Sequence, residues 1–271
     1  LPRTFQLIKG VGPFRERDLW ARAISTWEDF EREAGRGVVM SSRLDAELLV
    51  RIAEARRALT AGDLRALAAM VPPREHWRLY GHFIDQAVFF DIEADGDNVP
   101  TVVGLMDREG LATFRRGKSL EQLPERLASS QLWVSFNGAV YDVPALRAHF
   151  GERFPSPVVH VDLRFLVRQA KLKGGLKGIE KALGFHRPPH LEGVRGLDAI
   201  RLWREWNFNH HREALRILVE YNLYDAVNLR SVLEWTAWRV AELNAWSDVD
   251  RAPIFERGDV LYDLTRLVMA Q

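Results

Sequence analysis

Three stretches of this sequence carry carboxylates at spacings that could hold a cation. In AVFFDIEAD the side chains of an extended segment alternate, so Phe89, Asp91 and Glu93 share one face while Val88, Phe90 and Ile92 share the other. Two acids thus leave one face of an otherwise apolar strand, and crowding them costs several kcal/mol unless something neutralises them. A divalent cation is the simplest neutraliser; a strand end where both acids reach water is the plain alternative. In SFNGAVYDVPAL a strand ends at Asn137-Gly138, a turn follows, and Asp142 stands two residues before a proline suited to a helix start. Asp142 could equally serve there as an N-cap. In YNLYDAVNL, within a helical pattern, Tyr221 and Asp225 are four apart and share a face. An acid among Leu218, Leu223 and Leu229 needs an explanation, which a solvated stripe would also supply.

Taken together, the three stretches each deliver a carboxylate from the end or face of a regular element. The chain has no cysteine, which excludes disulfides, Cys-ligated zinc, iron–sulfur clusters and a thiol nucleophile. With no HExxH either, four acids point to a hard metal on oxygen ligands. A pair of Mg²⁺ or Mn²⁺ ions about 3.5–4 Å apart would suit in-line phosphoryl chemistry, and phosphodiester hydrolysis is the reaction class that follows. Using the acids as a glycosidase pair leaves the helical YxxxD without a role.

These stretches, Asp91-Ile92-Glu93, then Asn137 to Asp142 followed by Val143-Pro144, then Tyr221 to Asp225, resemble the three motifs of DEDD-type 3′-5′ exonucleases. The tyrosine four residues before the last aspartate resembles the DEDDy branch, which includes the proofreading domains of family B DNA polymerases. With HVDL at 160–163 and LKGIEKALGF at 176–185, the spacing is most similar to bacterial YprB-like ribonuclease H-like proteins, over roughly residues 86 to 240. The resemblance implies an α/β fold, a ribonuclease H-like mixed sheet flanked by helices. It implies Asp91, Glu93, Asp142 and Asp225 as ligands of two Mg²⁺ or Mn²⁺ ions, with Tyr221 orienting or deprotonating the attacking water. A tyrosine pKa near ~10 favours orientation over full base catalysis. Asp162 matches a further acidic position, read as supporting the site or the fold. Asn137 is expected to fix the turn or contact the substrate strand. Many relatives have a threonine after the first motif where this chain has Ala94, so backbone contacts to the terminal nucleotide would persist there and a hydroxyl contact would not. The implied activity is 3′-5′ exonucleolysis of single-stranded DNA or RNA ends. A structure-selective endonuclease and a non-catalytic nucleic-acid-binding module are the alternatives.

Elements that could position these residues are legible around them. Residues 1–84 read as an all-helical extension, with a Ser25/Glu28 capping-box spacing and Ser42 preceding a 3.6-period stripe of Leu44, Leu48, Ile52, Ala55 and Leu59. Pro72-Pro73 starts a further helix with Trp77, Tyr80 and Ile84. Near the start, Gly10-Val11-Gly12 with Lys9 and Arg15 resembles a helix-hairpin-helix element; a plain turn packing Leu19, Trp20 and Trp27 is the alternative. Residues 85–245 alternate strands and helices: QAVFFDIE, TVVGLMD and LATF as strands with a turn at 108–110, a helix over 120–128, LWVSF, a helix over 144–150, and VVHVD. A helical stretch and a long helix over 212–244 follow, and 246–271 is a tail without clear pattern.

Global charge is nearly balanced, 38 basic against 37 acidic residues, but Arg164 to Arg187 holds Arg164, Arg168, Lys171, Lys173, Lys177, Lys181 and Arg187 against Glu180 alone. This is either a solvated face or a phosphate-contacting surface, with Lys171, Lys173 and Lys177 tracking the substrate backbone. Phe136, Tyr141 and Phe114 could stack on bases, and the nine tryptophans read as core. His186 and His190 flank Pro188-Pro189, which denies them a shared helical face. No apolar run approaches the ~18 residues of a membrane span, so a soluble, cytoplasmic protein is expected.

Overall fold

The structure, a computed structural model, describes residues 1–244. They group into two compact units, Leu1–Ile84 with the described residues from Ala237 onward, and Asp85–Thr236.

The first unit is helical. Helices α1 (Pro13–Ala21), α2 (Trp27–Ala34), α3 (Ser42–Thr60) and α4 (Leu64–Met70) precede a 3-10 helix over Pro73–His82. The caps of α2 and α3 lie one residue from the expected ones. The capping box of α2 is Thr26 with Asp29, not Ser25 with Glu28, and the cap of α3 is Ser41, whose hydroxyl accepts the Leu44 N–H. The Pro72-Pro73 segment winds more tightly than an α-helix. Gly10 has φ +98° and α1 starts at Pro13, but residues 1–12 contain no helix, so a helix-hairpin-helix lacks its first arm. Leu19, Trp20 and Trp27 are buried, as the plain-turn alternative requires. Inside this unit Glu16 accepts the Phe5 N–H at 2.7 Å and the Gln6 side chain at 2.6 Å, and pairs with Arg78 at 2.9 Å. That network satisfies an otherwise costly buried charge.

The second unit is built on a five-stranded mixed sheet, β1 (Ala87–Ala94), β2 (Pro100–Asp107), β3 (Gly110–Arg115), β4 (Leu132–Ser135) and β5 (Val159–Asp162), in the order β3-β2-β1-β4-β5. β1 to β3 form an antiparallel meander, and β4 and β5 extend the sheet in parallel from β1. Parallel pairing needs crossovers. α5 (Leu123–Ala128) lies in the one from β3 to β4, and α6 (Asp142–Phe150) in the one from β4 to β5. α7 (Leu163–Gln169), α8 (Leu176–Ala182), α9 (Gly196–Asn209) and α10 (Arg212–Leu243) follow.

Alternation along β1 divides the core in two. Val88, Phe90 and Ile92 join Leu123, Leu127, Trp133, Ala145, Leu146 and Phe150 on the α5–α6 face. On the opposite face Val102 meets α9 and α10 through Leu202, Trp203, Leu218, Tyr221 and Leu223. Phe114 is 8% exposed within the first of these clusters, so it packs in the core and does not stack on a substrate. Among the described residues no helix is long and apolar enough to cross a membrane. The tail from residue 246 lies outside the described residues.

Candidate functional site

Asp91 and Glu93 stand on the α10 face of β1, the central strand, and the sequence makes room for the helix there. Across the antiparallel register Asp91 faces Gly104. A Cβ on Gly104 would come within 2.8 Å of Asn222 Oδ1 and 3.0 Å of the Asn222 carbonyl. The missing side chain lets α10 lie against the strand, and Asn222 Nδ2 then donates to the Asp91 carbonyl at 3.0 Å and to its carboxylate Oδ2 at 2.9 Å. One turn along α10, Asp225 reaches the same point. Asp91, Glu93 and Asp225 each offer an oxygen, and these ligand atoms all lie within 4.8 Å of one another.

Asp142 arrives differently. It is the first residue of α6 and is 4% exposed; the N-cap position belongs to Tyr141, which makes no side-chain cap. Its Oδ1 accepts the backbone N–H of Ile92 at 3.1 Å, tying α6 to β1 between the two β1 acids. The preceding turn is shaped for this delivery. Asn137 has φ +65°, and a Cβ on Gly138 would overlap the Ser135 side chain. Asp162 holds the turn, its carboxylate accepting the N–H groups of Asn137 at 2.7 Å, Ala139 at 3.1 Å and Arg164 at 3.0 Å. The carboxylate of Asp162 is therefore committed to backbone, and Asn137 Oδ1 accepts from Arg164.

Charge dominates the site. Unit charges 4.8 Å apart repel by ~3 kcal/mol at an effective dielectric near ~20. Burial, reinforced by Asp225, Asp142 and Glu93, pushes the Asp91 carboxyl well above the usual range. Burial with Asp225 beside it lifts Glu93 to about 8, and burial lifts Asp142 to about 7. Tyr221, 2% exposed, is also raised by burial and by Asp225, which disfavours a tyrosinate. The donor set fits a hard divalent cation: the donor atoms are oxygens, they converge, and such a cation would offset their mutual repulsion.

Two side-chain cations touch the cluster. Lys177 Nζ donates to the Tyr221 hydroxyl, stands 3.6 Å from Asp225 Oδ2 and lies 4.1 Å from the centre of the Tyr221 ring. With Asp91, Ile92, Glu93, Gly175, Leu176, Gly178, Tyr221 and Asp225 it lines a cleft of about 320 Å³. Arg187 donates to Asp225 Oδ1 from the other side.

Lys171 and Lys173 are exposed on the turn before α8 and do not line the cleft. Tyr141 is 44% exposed, and Glu93, Asp142 and Asp91 act with burial to raise its hydroxyl pKa, so it neighbours the acids. Ala94 is 6% exposed at an irregularity where β1 leaves β2. Sequence reasoning missed Asn222, and it read Arg187 as part of a basic surface opposed by Glu180. Both partners of that pair are buried, with side chains 8% and 4% exposed. The available signal was the pair of amides, Asn222 and Asn228, in the apolar run around Asp225.

A family profile described as the RNase_H superfamily matches residues 88–237, more than half of the chain. No curated protein and no solved structure matches. The matched segment contains all but the first residue of the five-stranded mixed sheet, together with its flanking helices and every acid of the cluster. The chain belongs to the RNase_H superfamily.

Proposed function

We propose that this protein is a metal-dependent 3′-5′ exonuclease of the DEDDy type, similar to the YprB-like group, acting on single-stranded DNA or RNA ends. The observation that carries the reading is the convergence of Asp91, Glu93 and Asp225 within 4.8 Å at a cleft that Tyr221 also lines. Asp91, Glu93, Asp142 and Asp225 would hold two Mg²⁺ or Mn²⁺ ions. Such ions supply Lewis-acid activation of water and stabilise charge on the attacking and leaving oxygens.

The chain's own residues do the rest. Tyr221 keeps its proton and orients the attacking water through its hydroxyl, which the Lys177 ammonium holds in place. Lys177 also brings positive charge to the cleft, where a scissile phosphate needs it, and Lys171 and Lys173 continue that charge along the substrate backbone. Tyr141 is exposed enough to stack on a base. Ala94 contributes backbone alone to the terminal nucleotide, and Asn137 keeps the turn that carries Asp142.

The test is incubation of 5′-labelled single-stranded DNA and RNA with Mg²⁺, Mn²⁺ or EDTA, beside Asp91→Ala. A ladder shortening from the 3′ end, lost with EDTA and with the variant, is expected. Cutting of a circular single strand would replace this reading with an endonuclease. Binding without cleavage under either metal would leave a nucleic-acid-binding module.

A further inference from the structure

Asp225 is held by a cation that is itself neutralised. Arg187 donates from Nη2 to Asp225 Oδ1, and from Nε at 2.9 Å and Nη2 at 2.6 Å to the two oxygens of Glu180. Asn228, one turn beyond Asp225 on α10, donates to Glu180 Oε1 at 2.9 Å. The three charged side chains are 8%, 4% and 5% exposed, so water screens little of their interaction. Among the described residues Arg187 Nη1 has no hydrogen-bond partner.

A bare guanidinium in this position would oppose a divalent cation in two ways. It would occupy one oxygen of Asp225, and it would place a full positive charge against the incoming ion. Glu180 cancels the second effect, because the Arg187–Glu180 pair has no net charge, which leaves Lys177, 3.6 Å from Asp225 Oδ2, as the cation facing that carboxylate. Neither Glu180 nor Arg187 lines the cleft, so neither is placed to touch metal or substrate.

We propose that Glu180 sets the divalent-metal affinity of the site by neutralising Arg187, acting as a positioning and charge-tuning residue outside the ligand set. The inference rests on the metal-dependent reading above. It differs from a purely structural role for the pair in the sign of a double-variant effect. If the pair only braces Asp225, losing both partners harms the site more than losing one. If Glu180 works by cancelling charge, removing the guanidinium as well repairs the loss.

The experiment measures Mn²⁺ binding to the full-length, EDTA-treated and dialysed protein, by calorimetry or by the electron paramagnetic resonance signal of free Mn²⁺. Glu180→Gln keeps the shape and loses the charge, and its dissociation constant is expected to rise about 10- to 100-fold. Glu180→Gln combined with Arg187→Gln is expected to return to the wild-type affinity or better. A Glu180→Gln affinity equal to wild type, or a double variant as weak as the single, overturns the inference. Should Glu180→Gln alone fail to fold, judged by circular dichroism, the double variant decides against wild type: a tenfold loss refutes charge tuning. Wild-type protein that binds no Mn²⁺ would instead overturn the metal reading itself.

Discussion

Asn222 follows Tyr221 directly and is fully buried, and its amide nitrogen grips both the backbone and the side chain of Asp91. On the proposed metal-dependent reading, Asn222→Ala is expected to cut kcat about 10- to 100-fold while moving KM little, because it frees the proposed ligand Asp91 without touching the basic surface. Steady-state kinetics on a short single strand would show this, and a change confined to KM would contradict it. The acids carry a second expectation. Glu93, raised from 4.5 to about 8, and Asp142, raised from 3.8 to about 7, hold protons in the metal-free fold that the unfolded chain releases near pH 4. The native state therefore binds more protons between about pH 4 and 8, and its stability falls as pH rises through that window. Melting temperatures of EDTA-treated protein should drop from pH 5 to 8.5, and saturating Mg²⁺ should abolish the drop. For the same reason Asp91→Asn should destroy activity yet stabilise the metal-free protein, by about 1 kcal/mol or a Tm rise of roughly 2–4 °C. The convergence of Asp91, Glu93 and Asp225 was legible because their residue types, spacing and elements could be read directly. Arg187 and Glu180 were not, because a charged residue type says nothing of whether its charge meets solvent or a partner.

At the scale of elements, alternation in AVFFDIEAD located β1 and its acidic face, and the periods of α3 and α10 located those helices. Boundaries slipped where chemistry is shared between neighbours: Ser41 and Ser42 could each cap α3, and Thr26 with Asp29 competes with Ser25 and Glu28. Helix α6 begins two residues before Pro144, since the first-turn N–H groups have no intrahelical acceptor and a proline there loses nothing. The close approach of α10 to β2 was hidden because a glycine inside a strand does not announce what leans on it. Gly104→Ala is expected to destabilise by about 1–3 kcal/mol through overpacking against Asn222, read by urea denaturation, with metal affinity falling in parallel. Asp162→Asn weakens the acceptor that holds the Asn137–Ala139 turn, so stability should fall by about 1–3 kcal/mol, read by urea denaturation.

Across the whole molecule a formal charge of +1 conceals a marked segregation. Arg168, Lys171, Lys173, Lys177 and Lys181 are exposed within one stretch, while Asp91, Glu93 and Asp225 gather around a single cleft. Reversing Lys171 and Lys173 to glutamate should weaken single-strand binding at every sequence and reduce the slope of log K against log salt by about 1.4, as two lost phosphate contacts require. An unchanged slope would return those lysines to the role of a solvated face. The α/β class and the helical N-terminal extension could both be read from the sequence, because the change from helical period to alternation near residue 86 is abrupt. The choice between a helix-hairpin-helix and a plain turn at Gly10 could not, since two glycines flanking a valine fit several turns equally well.

The amide of Asn222 has one further consequence. Its nitrogen has two acceptors on Asp91, whereas its oxygen lies buried near Gly104 without a hydrogen-bond partner among the described residues. A flip would set oxygen against oxygen, so the group has a single orientation, and its protons should exchange slowly with deuterium. In a ¹⁵N-labelled sample that one side-chain resonance pair would act as an internal gauge of Asp91, moving when the carboxylate changes partner even if no substrate is present.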